Sequence, residues 1–305
     1  MKRFADYRKE TKIRYQYTDD TAMARQVADS ILSMRSVDSK NMAERFVTEF
    51  YKEPHRGYGQ SVGEVFKKLR SSECKDPFRP ASEQFNGSGS YGNGAPMRVH
   101  PVGIFSYDLS QSQLIENVGK SAKITHANSD AVNGAVLQAS FVSWALQGTK
   151  IAEFRGKAHD LVAGFDKPDD SAAETYSGKL KKIDELLAMS QIPDDKENIS
   201  KLIEALGNDI SAIGSVPAVL YSFLAVLQNQ EPFGLDACTT ENAFERCLQL
   251  AMIFGGDTDT ICSMTGALAG AYYGENAIPE YMKQICEGID NAMRQADQLH
   301  KLVTQ

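Results

Sequence analysis

Apolar residues along this chain recur at the helical period. Met23, Val27 and Ile31 fall four apart, and Ala24, Ala28 and Leu32 repeat the spacing one position on. Together they form a stripe along one helix face, the face that must turn inward. Comparable stripes run through Met42–Tyr51, Val62–Leu69, Val132–Leu146, Leu180–Leu187, Ile199–Leu206, Val216–Leu227, Ala243–Phe254, Ile261–Tyr273 and Tyr281–Leu302. Period-two runs of β-branched residues are nearly absent. Val99–Phe105 reads as extended, but Pro101 interrupts it. The pattern predicts an all-α fold, a compact helical bundle of roughly ten helices with little or no sheet. No internal repeat or domain boundary is evident, so residues 1–305 are expected to form one domain.

Two stretches break the periodicity. Ser71–Gly103 holds Pro77, Pro80, Pro96 and Pro101 around a glycine-rich run, and an unstructured loop of that length inside a domain is usually functional or disordered. Lys167–Ser177 is polar and acidic and reads as a mobile surface loop.

Composition narrows the classes. The chain has 305 residues, 42% of them hydrophobic, and a net charge of -7. That suffices for a sizeable core, and no apolar run reaches the ~18 residues of a membrane span. Ile261–Gly274 comes nearest and reads as a buried helix. The small cluster Lys179, Lys181 and Lys182 sits beside Asp184 and Glu185 and reads as a solvated helix face. With no basic stripe, direct DNA binding is not expected. The five cysteines, Cys74, Cys238, Cys247, Cys262 and Cys286, are odd in number and form no C-x-x-C pair. They fit a reducing compartment better than a disulfide or zinc framework. No apolar core follows the basic N-terminus, so it does not read as a secretory signal.

Three constellations carry candidate chemistry. Thr18-Asp19-Asp20-Thr21 opens the first helix. Thr18 suits the N-cap, and acidic residues in a first turn oppose the helix dipole whether or not they have a function. Gly255-Gly256-Asp257-Thr258-Asp259-Thr260 opens the small-residue helix that follows, in which Gly266, Ala267, Gly270 and Ala271 allow close packing. Carboxylates on a buried helix are costly unless something neutralises them. Four aspartates with hydroxyls form a hard, all-oxygen donor set suited to Mg2+, Mn2+ or Ca2+. Two such ions could clamp a pair of substrate oxygens. The third is Ser88-Gly89-Ser90-Tyr91-Gly92-Asn93-Gly94, whose backbone N–H groups could cradle a phosphate, or which could be only a flexible turn; it matches neither nucleotide fingerprint. His126 and His55 read equally as packed or capping residues, and Trp144 as core. On the residues alone, a di-metal phosphoesterase remains open.

These motifs, in order along the chain, resemble the ADP-ribosylglycohydrolases related to dinitrogenase reductase-activating glycohydrolase. They are Thr-Asp-Asp-Thr-Ala-Met-Ala-Arg, Arg-Gly-Tyr-Gly, Gly-Ser-Tyr-Gly-Asn-Gly, Thr-His-Ala, Ser-Val-Pro and Gly-Gly-Asp-Thr-Asp-Thr. The likeness runs from about Tyr15 to the C-terminus and is strongest to the animal ADP-ribosyl-serine hydrolases. It implies a helical fold with two Mg2+ ions in a central cleft, held by Thr18, Asp19, Asp20, Asp257, Asp259 and Thr260. It implies that Ser88, Gly89, Ser90, Tyr91, Gly92, Asn93 and Gly94 hold the diphosphate of ADP-ribose. Asp19, Phe85, His126 and Ile210 would help line the ligand site. The implied activity is hydrolysis of ADP-ribose from serine oxygens of modified proteins, and of poly(ADP-ribose) and O-acetyl-ADP-ribose. The implied setting is an intracellular monomer in nucleus, cytoplasm or mitochondrial matrix, away from membranes.

The resemblance also carries a departure. In the family, a helix with a Gly-Asp pair and a catalytic glutamate precedes the first acidic motif. Here seventeen residues precede Thr18, and Glu10, the one glutamate among them, lies in a different context. The catalytic residue is therefore left unassigned. The expectation is an N-terminally incomplete chain of weak turnover, or an ADP-ribose-binding module.

Overall fold

The structure, a computed structural model, describes residues 14–165, 175–189, 196–228 and 240–304. Its helices in chain order are α1 (Asp19–Met34), α2 (Ser39–Lys52), α3 (Gln60–Ser71), α4 (Arg79–Ser82), α5 (His100–Phe105), α6 (Gln111–Ala122), α7 (Ser129–Leu146), α8 (Ile151–Val162), α9 (Tyr176–Ala188), α10 (Lys196–Leu206), α11 (Ala212–Leu227), α12 (Ala243–Ile253), α13 (Thr258–Tyr273), α14 (Glu280–Ile285) and α15 (Ile289–Thr304). Among the described residues the only β pairing is two isolated bridges, Tyr15 with Cys286 and Gly92 with Ser211. The fold is all-α, as its periodicity requires.

Burial follows the breadth of each apolar face. A helix apolar on all sides belongs at the centre of a bundle. Helix α7 is buried without a break from Gly134 to Ala145, and α11 without a break from Gly214 to Val226. Helix α13 packs on both, and on α12. There Gly266 and Gly270 face Leu248 and Phe244 of α12, the close approach that the small-residue stripe anticipated. Trp144 is core, its ring 5.4 Å from Phe141 and 6.4 Å from Phe154. Phe154 is fully buried, and truncating such a side chain typically costs about 3–5 kcal/mol. One contiguous set of buried side chains extends from Met23 to Leu299.

The structure corrects four local expectations. Val99–Phe105 is not extended: His100–Phe105 is helical, with Pro101 in the first turn, where a missing N–H costs nothing. The segment read as one long loop, Ser71–Gly103, contains α4, a tight turn at Gln84–Gly87 and a single 3-10 turn at Pro96–Arg98. The stripe Tyr281–Leu302 is two helices, parted where Glu287 N–H donates to the Tyr15 carbonyl (3.0 Å). Lys179 is buried and not solvated, its ammonium donating to the Ala205 carbonyl (3.0 Å) near the C-terminal end of α10, where the helix dipole favours a cation.

Glu10, Cys238 and residues 167–174 of the acidic loop lie outside the described residues. The loop's last residues begin α9, with Thr175 capping it through the Gly178 N–H (3.0 Å). The four described cysteines are free, and no described helix is long and apolar enough to cross a membrane.

Candidate active site

The first acidic motif sits where an extended segment enters α1. Asp19 N–H donates to the Arg56 carbonyl (2.7 Å), which fixes the turn against the Arg56-Gly57-Tyr58-Gly59 loop. The Arg56 guanidinium lies over the Tyr17 ring (3.8 Å) and grips Glu287 by both nitrogens (2.7 and 2.9 Å), with Glu53 at 2.9 Å. Thr18 occupies the N-cap position, but its hydroxyl makes no capping bond. It donates instead to Asp20 Oδ2 (2.9 Å), so the residue serves the acid beside it.

The second acidic motif is built by backbone geometry that few residues tolerate. Gly255 and Gly256 both have positive φ, 61° and 60°, and carry the chain from α12 into α13. A side chain on Gly256 would strike the Asn208 carbonyl, which accepts the Asp257 N–H (2.9 Å). Asn208 closes the clasp by donating its amide to the Phe254 carbonyl (2.7 Å). The two motifs meet: Thr260 Oγ1 stands 3.5 Å from Asp20 Oδ2.

Crowding of acids shows in their proton affinities. Burial, then the charges of Asp259 and Asp257, push the Asp19 carboxyl up to about 6. Burial, then the Asp19 charge, push Asp20 to about 7. Asp257 is raised by burial and by Asp259, against the bond donated by Asn93 Nδ2 (2.6 Å). Asp20 Oδ1 is buried and makes no hydrogen bond among the described residues. Burial without compensation disfavours anions, and a hard cation would remove the penalty. In donor chemistry the set fits a divalent metal. Among the described residues, however, no three His, Cys, Asp or Glu side chains are arranged to hold one, so the carboxylates would have to draw together to ligate.

The glycine loop adjoins the acidic motifs through the Asn93–Asp257 bond. It is pinned to the start of α11 by two backbone bonds, Asn93 N–H to the Ile210 carbonyl (2.9 Å) and Ala212 N–H to the Tyr91 carbonyl (3.0 Å). The N–H groups of Ser90, Tyr91 and Gly94 make no hydrogen bond among the described residues, as an anion cradle requires. His126 lies behind the loop: a side chain on Gly94 would come within 2.7 Å of its Cε1. Burial holds the imidazole neutral, down to about 3, and Nδ1 pairs with the Thr125 hydroxyl at 2.7 Å. Phe85 and Asn86 are held in the left-handed region at φ 51° and 57°, a costly conformation for a bulky residue and one often found at ligand sites. The Phe85 ring is 6.5 Å from that of Tyr91, and both are exposed, as is Ile210.

A cleft of about 270 Å³ joins these elements. Of the residues singled out in the sequence, Asp19, Asp257, Asp259 and Thr260 line it together with Ser90, Tyr91, Gly92, Asn93 and Gly94. Phe85, His126 and Ile210 complete the lining. Thr18 and Asp20 stand behind Asp19 and do not line the cleft; Asp20 is only 3% exposed. Ser88 and Gly89 are also outside the lining. The Ser88 hydroxyl is turned to the Phe85 carbonyl (2.8 Å), and Gly89 packs on Ala127 and Asn128 at the start of α7. Sequence reasoning missed Met97 and Arg98, which line the cleft floor, and Asn208, which clasps the second motif.

Comparison with known proteins shows the family. The family model described as ADP-ribosylglycohydrolase matches residues 2–305. A protein of Gallus gallus named ADP-ribosylhydrolase ARH3 is 43% identical over 95% of this chain and 78% of its own length. The Homo sapiens protein of the same name is 40% identical over 94% of this chain and 78% of its own. A solved structure, an ADP-ribosylglycohydrolase-related protein complex, superposes with a TM-score of 0.66 at 22% identity, covering 94% of this chain and 81% of that one, and so supports the fold alone. The chain therefore belongs to the ADP-ribosylglycohydrolase family of hydrolases.

Proposed function

We propose that the chain hydrolyses O-linked ADP-ribose from serine residues of modified proteins in a Mg2+-dependent manner, with poly(ADP-ribose) and O-acetyl-ADP-ribose as further substrates. The observation that carries this reading is the meeting of two acidic helix starts, Thr260 with Asp20 at 3.5 Å, in a cleft that also holds a glycine loop whose Ser90, Tyr91 and Gly94 N–H groups make no hydrogen bond among the described residues. In it, Thr18, Asp19, Asp20, Asp257, Asp259 and Thr260 would hold two Mg2+ ions. The cations would supply Lewis-acid polarisation of the sugar hydroxyls. The glycine loop binds the diphosphate through the backbone N–H groups of Ser90, Tyr91 and Gly94, and Asn93 ties that loop to Asp257. Phe85, Tyr91 and Ile210 offer an exposed apolar mouth for the adenosine end, and neutral His126 supports the loop from behind. The substrate reaches the transition state as a sugar carbon of oxocarbenium character open to water. Residues 1–305 act as one domain and as a monomer. The substrate class places the work inside the cell, in nucleus, cytoplasm or mitochondrial matrix.

A second reading rests on one observation: no glutamate lines the cleft among the described residues. It favours an ADP-ribose-binding chain with weak turnover. The test is release of ADP-ribose from a serine-ADP-ribosylated peptide by the 305-residue chain, in Mg2+ and in EDTA, beside calorimetry with ADP-ribose. Mg2+-dependent release supports the enzyme, binding without release supports the second reading, and neither binding nor release rejects both.

A further inference from the structure

Arg98 is a buried cation that forms no ion pair among the described residues, although the Asp19 charge acts on it from a distance. The side chain is 1% exposed and borders the cleft floor under the glycine loop. Its partners are carbonyls: Gly94 (2.8 Å) through Nη1, and Ser121 (3.0 Å) and Ala122 (3.4 Å) through Nη2. Phe46 packs its ring at 4.8 Å from Cζ. Nε is buried and makes no hydrogen bond among the described residues. No carboxylate among them lies within ion-pair distance of the guanidinium. A buried charge without an ion pair is expensive, and buried charges are as a rule paired.

Two consequences follow from where it stands. The fork joins the Gly94 carbonyl to the end of α6, and the Ala122 carbonyl also accepts the His126 N–H (2.9 Å). One side chain thus fixes the glycine loop against the histidine that supports it. Among the described residues, Arg98 is also the only cationic side chain lining a cleft that holds Asp19, Asp257 and Asp259. A ligand carrying a diphosphate enters an acidic cleft, and this is the one fixed positive charge at the end where the free N–H groups lie.

We infer that Arg98 is a positioning residue that also acts through its charge. It holds the glycine loop in register with His126 and supplies a fixed positive charge beside the loop that takes the anionic diphosphate. The inference rests on the ADP-ribose reading above. The guanidinium does not need to touch the ligand, since a charge in a water-poor interior acts through the loop.

The test compares ADP-ribose with adenosine, which lacks the diphosphate, by calorimetry and ligand-observed NMR on the 305-residue chain in Mg2+. Arg98→Gln keeps donors and removes the charge. It is expected to weaken ADP-ribose about tenfold or more beyond any loss of adenosine. Arg98→Lys keeps the charge and loses the fork. It is expected to weaken both ligands together, with their affinity ratio within about threefold of wild type. Melting curves show which variants fold. Should Arg98→Gln not melt cooperatively, Arg98→Lys decides, because loss of ADP-ribose affinity alone, or no loss at all, overturns the assignment. Equal losses for both ligands in Arg98→Gln would show a purely structural role and overturn it as well. A wild-type chain that binds adenosine but not ADP-ribose overturns this inference, and one that binds neither removes the functional reading beneath it.

Discussion

Thr260 Oγ1 stands 3.5 Å from Asp20 Oδ2, although 240 positions separate the two residues in the chain. The contact joins the first turn of α1 to the first turn of α13. Both turns present acidic groups, and both helices direct their positive dipole ends toward the same place. Dipoles soften the repulsion without removing it, since Asp19, Asp20 and Asp257 all hold their protons more tightly than isolated aspartates. The site stores electrostatic strain that a bound cation would relieve.

That strain sets a pH dependence with a definite sign. Asp19 and Asp20 titrate near 6 and 7 in the folded chain, against about 4 in an unfolded one. The folded state therefore binds more protons between roughly pH 4 and 7, and the stability these groups contribute is present at the acid end and lost as pH rises through that window. In EDTA, the difference in melting temperature between wild type and Asp20→Asn should favour wild type least at pH 8. Excess Mg2+ should raise the wild-type melting temperature most at high pH and leave the variant nearly unmoved. A wild-type melt in EDTA that gains on the variant between pH 5 and 8 would contradict this account.

Gly94 and His126 should behave as a coupled pair. A methyl group at Gly94 meets the imidazole at 2.7 Å from Cε1, in a packed interior that cannot yield cheaply. Gly94→Ala should cost about 1–3 kcal/mol. His126→Ala makes room, so the double variant should recover about 1 kcal/mol or more relative to additive losses. Chemical denaturation of the four proteins measures the coupling, and simple additivity would show that the loop does not rest on the ring.

The helices with broad stripes were legible because α7 and α11 repeat apolar residues over four or more turns. Helices α6 and α8 were not singled out. Each buries little more than one apolar residue per turn, Leu114 and Val118 in one and Phe154, Ala158 and Val162 in the other, too thin a pattern beside their polar faces. The acidic motifs and the glycine loop announced themselves by composition. Their meeting in space did not, because no local spacing encodes a contact across 240 positions. Arg98 carried a faint signal, a single cation within Ala95-Pro-Met-Arg-Val-His-Pro-Val-Gly-Ile-Phe105, but burial alone reveals its meaning. Thr18 looked like a helix cap and proved a partner of Asp20, a difference of side-chain rotamer that sequence cannot specify.

Asn93 is the one side-chain link between the glycine loop and the second acidic motif, through its 2.6 Å bond to Asp257 among the described residues. A hydrogen bond to a charged group contributes about 1.5–3 kcal/mol. Asn93→Ala should therefore weaken ADP-ribose binding roughly 10- to 100-fold in calorimetry with Mg2+. Asn93→Asp should be worse, since it replaces a donor with a further anion in the cleft lining. An Asn93→Asp variant that binds as well as wild type would show that the loop and the acids act independently.

Arg56 anchors the first acidic motif. Arg56 binds Glu287 with both nitrogens, stacks on Tyr17, and offers its carbonyl to the Asp19 N–H. A lysine retains the charge but not the planar fork, so Arg56→Lys is not conservative here. The ion-pair partners are partly open to solvent, with side-chain exposures of 13% and 31%, so the stability loss should be modest, about 1 kcal/mol. The functional loss should exceed it, because the Arg56 backbone sets where α1 begins and hence where Asp19 points. A Mg2+ titration of the melting temperature separates the two: Arg56→Lys should shift the midpoint to higher Mg2+ by more than its own destabilisation explains. If the midpoint stays with wild type while the melting temperature falls, the network serves the fold and not the site.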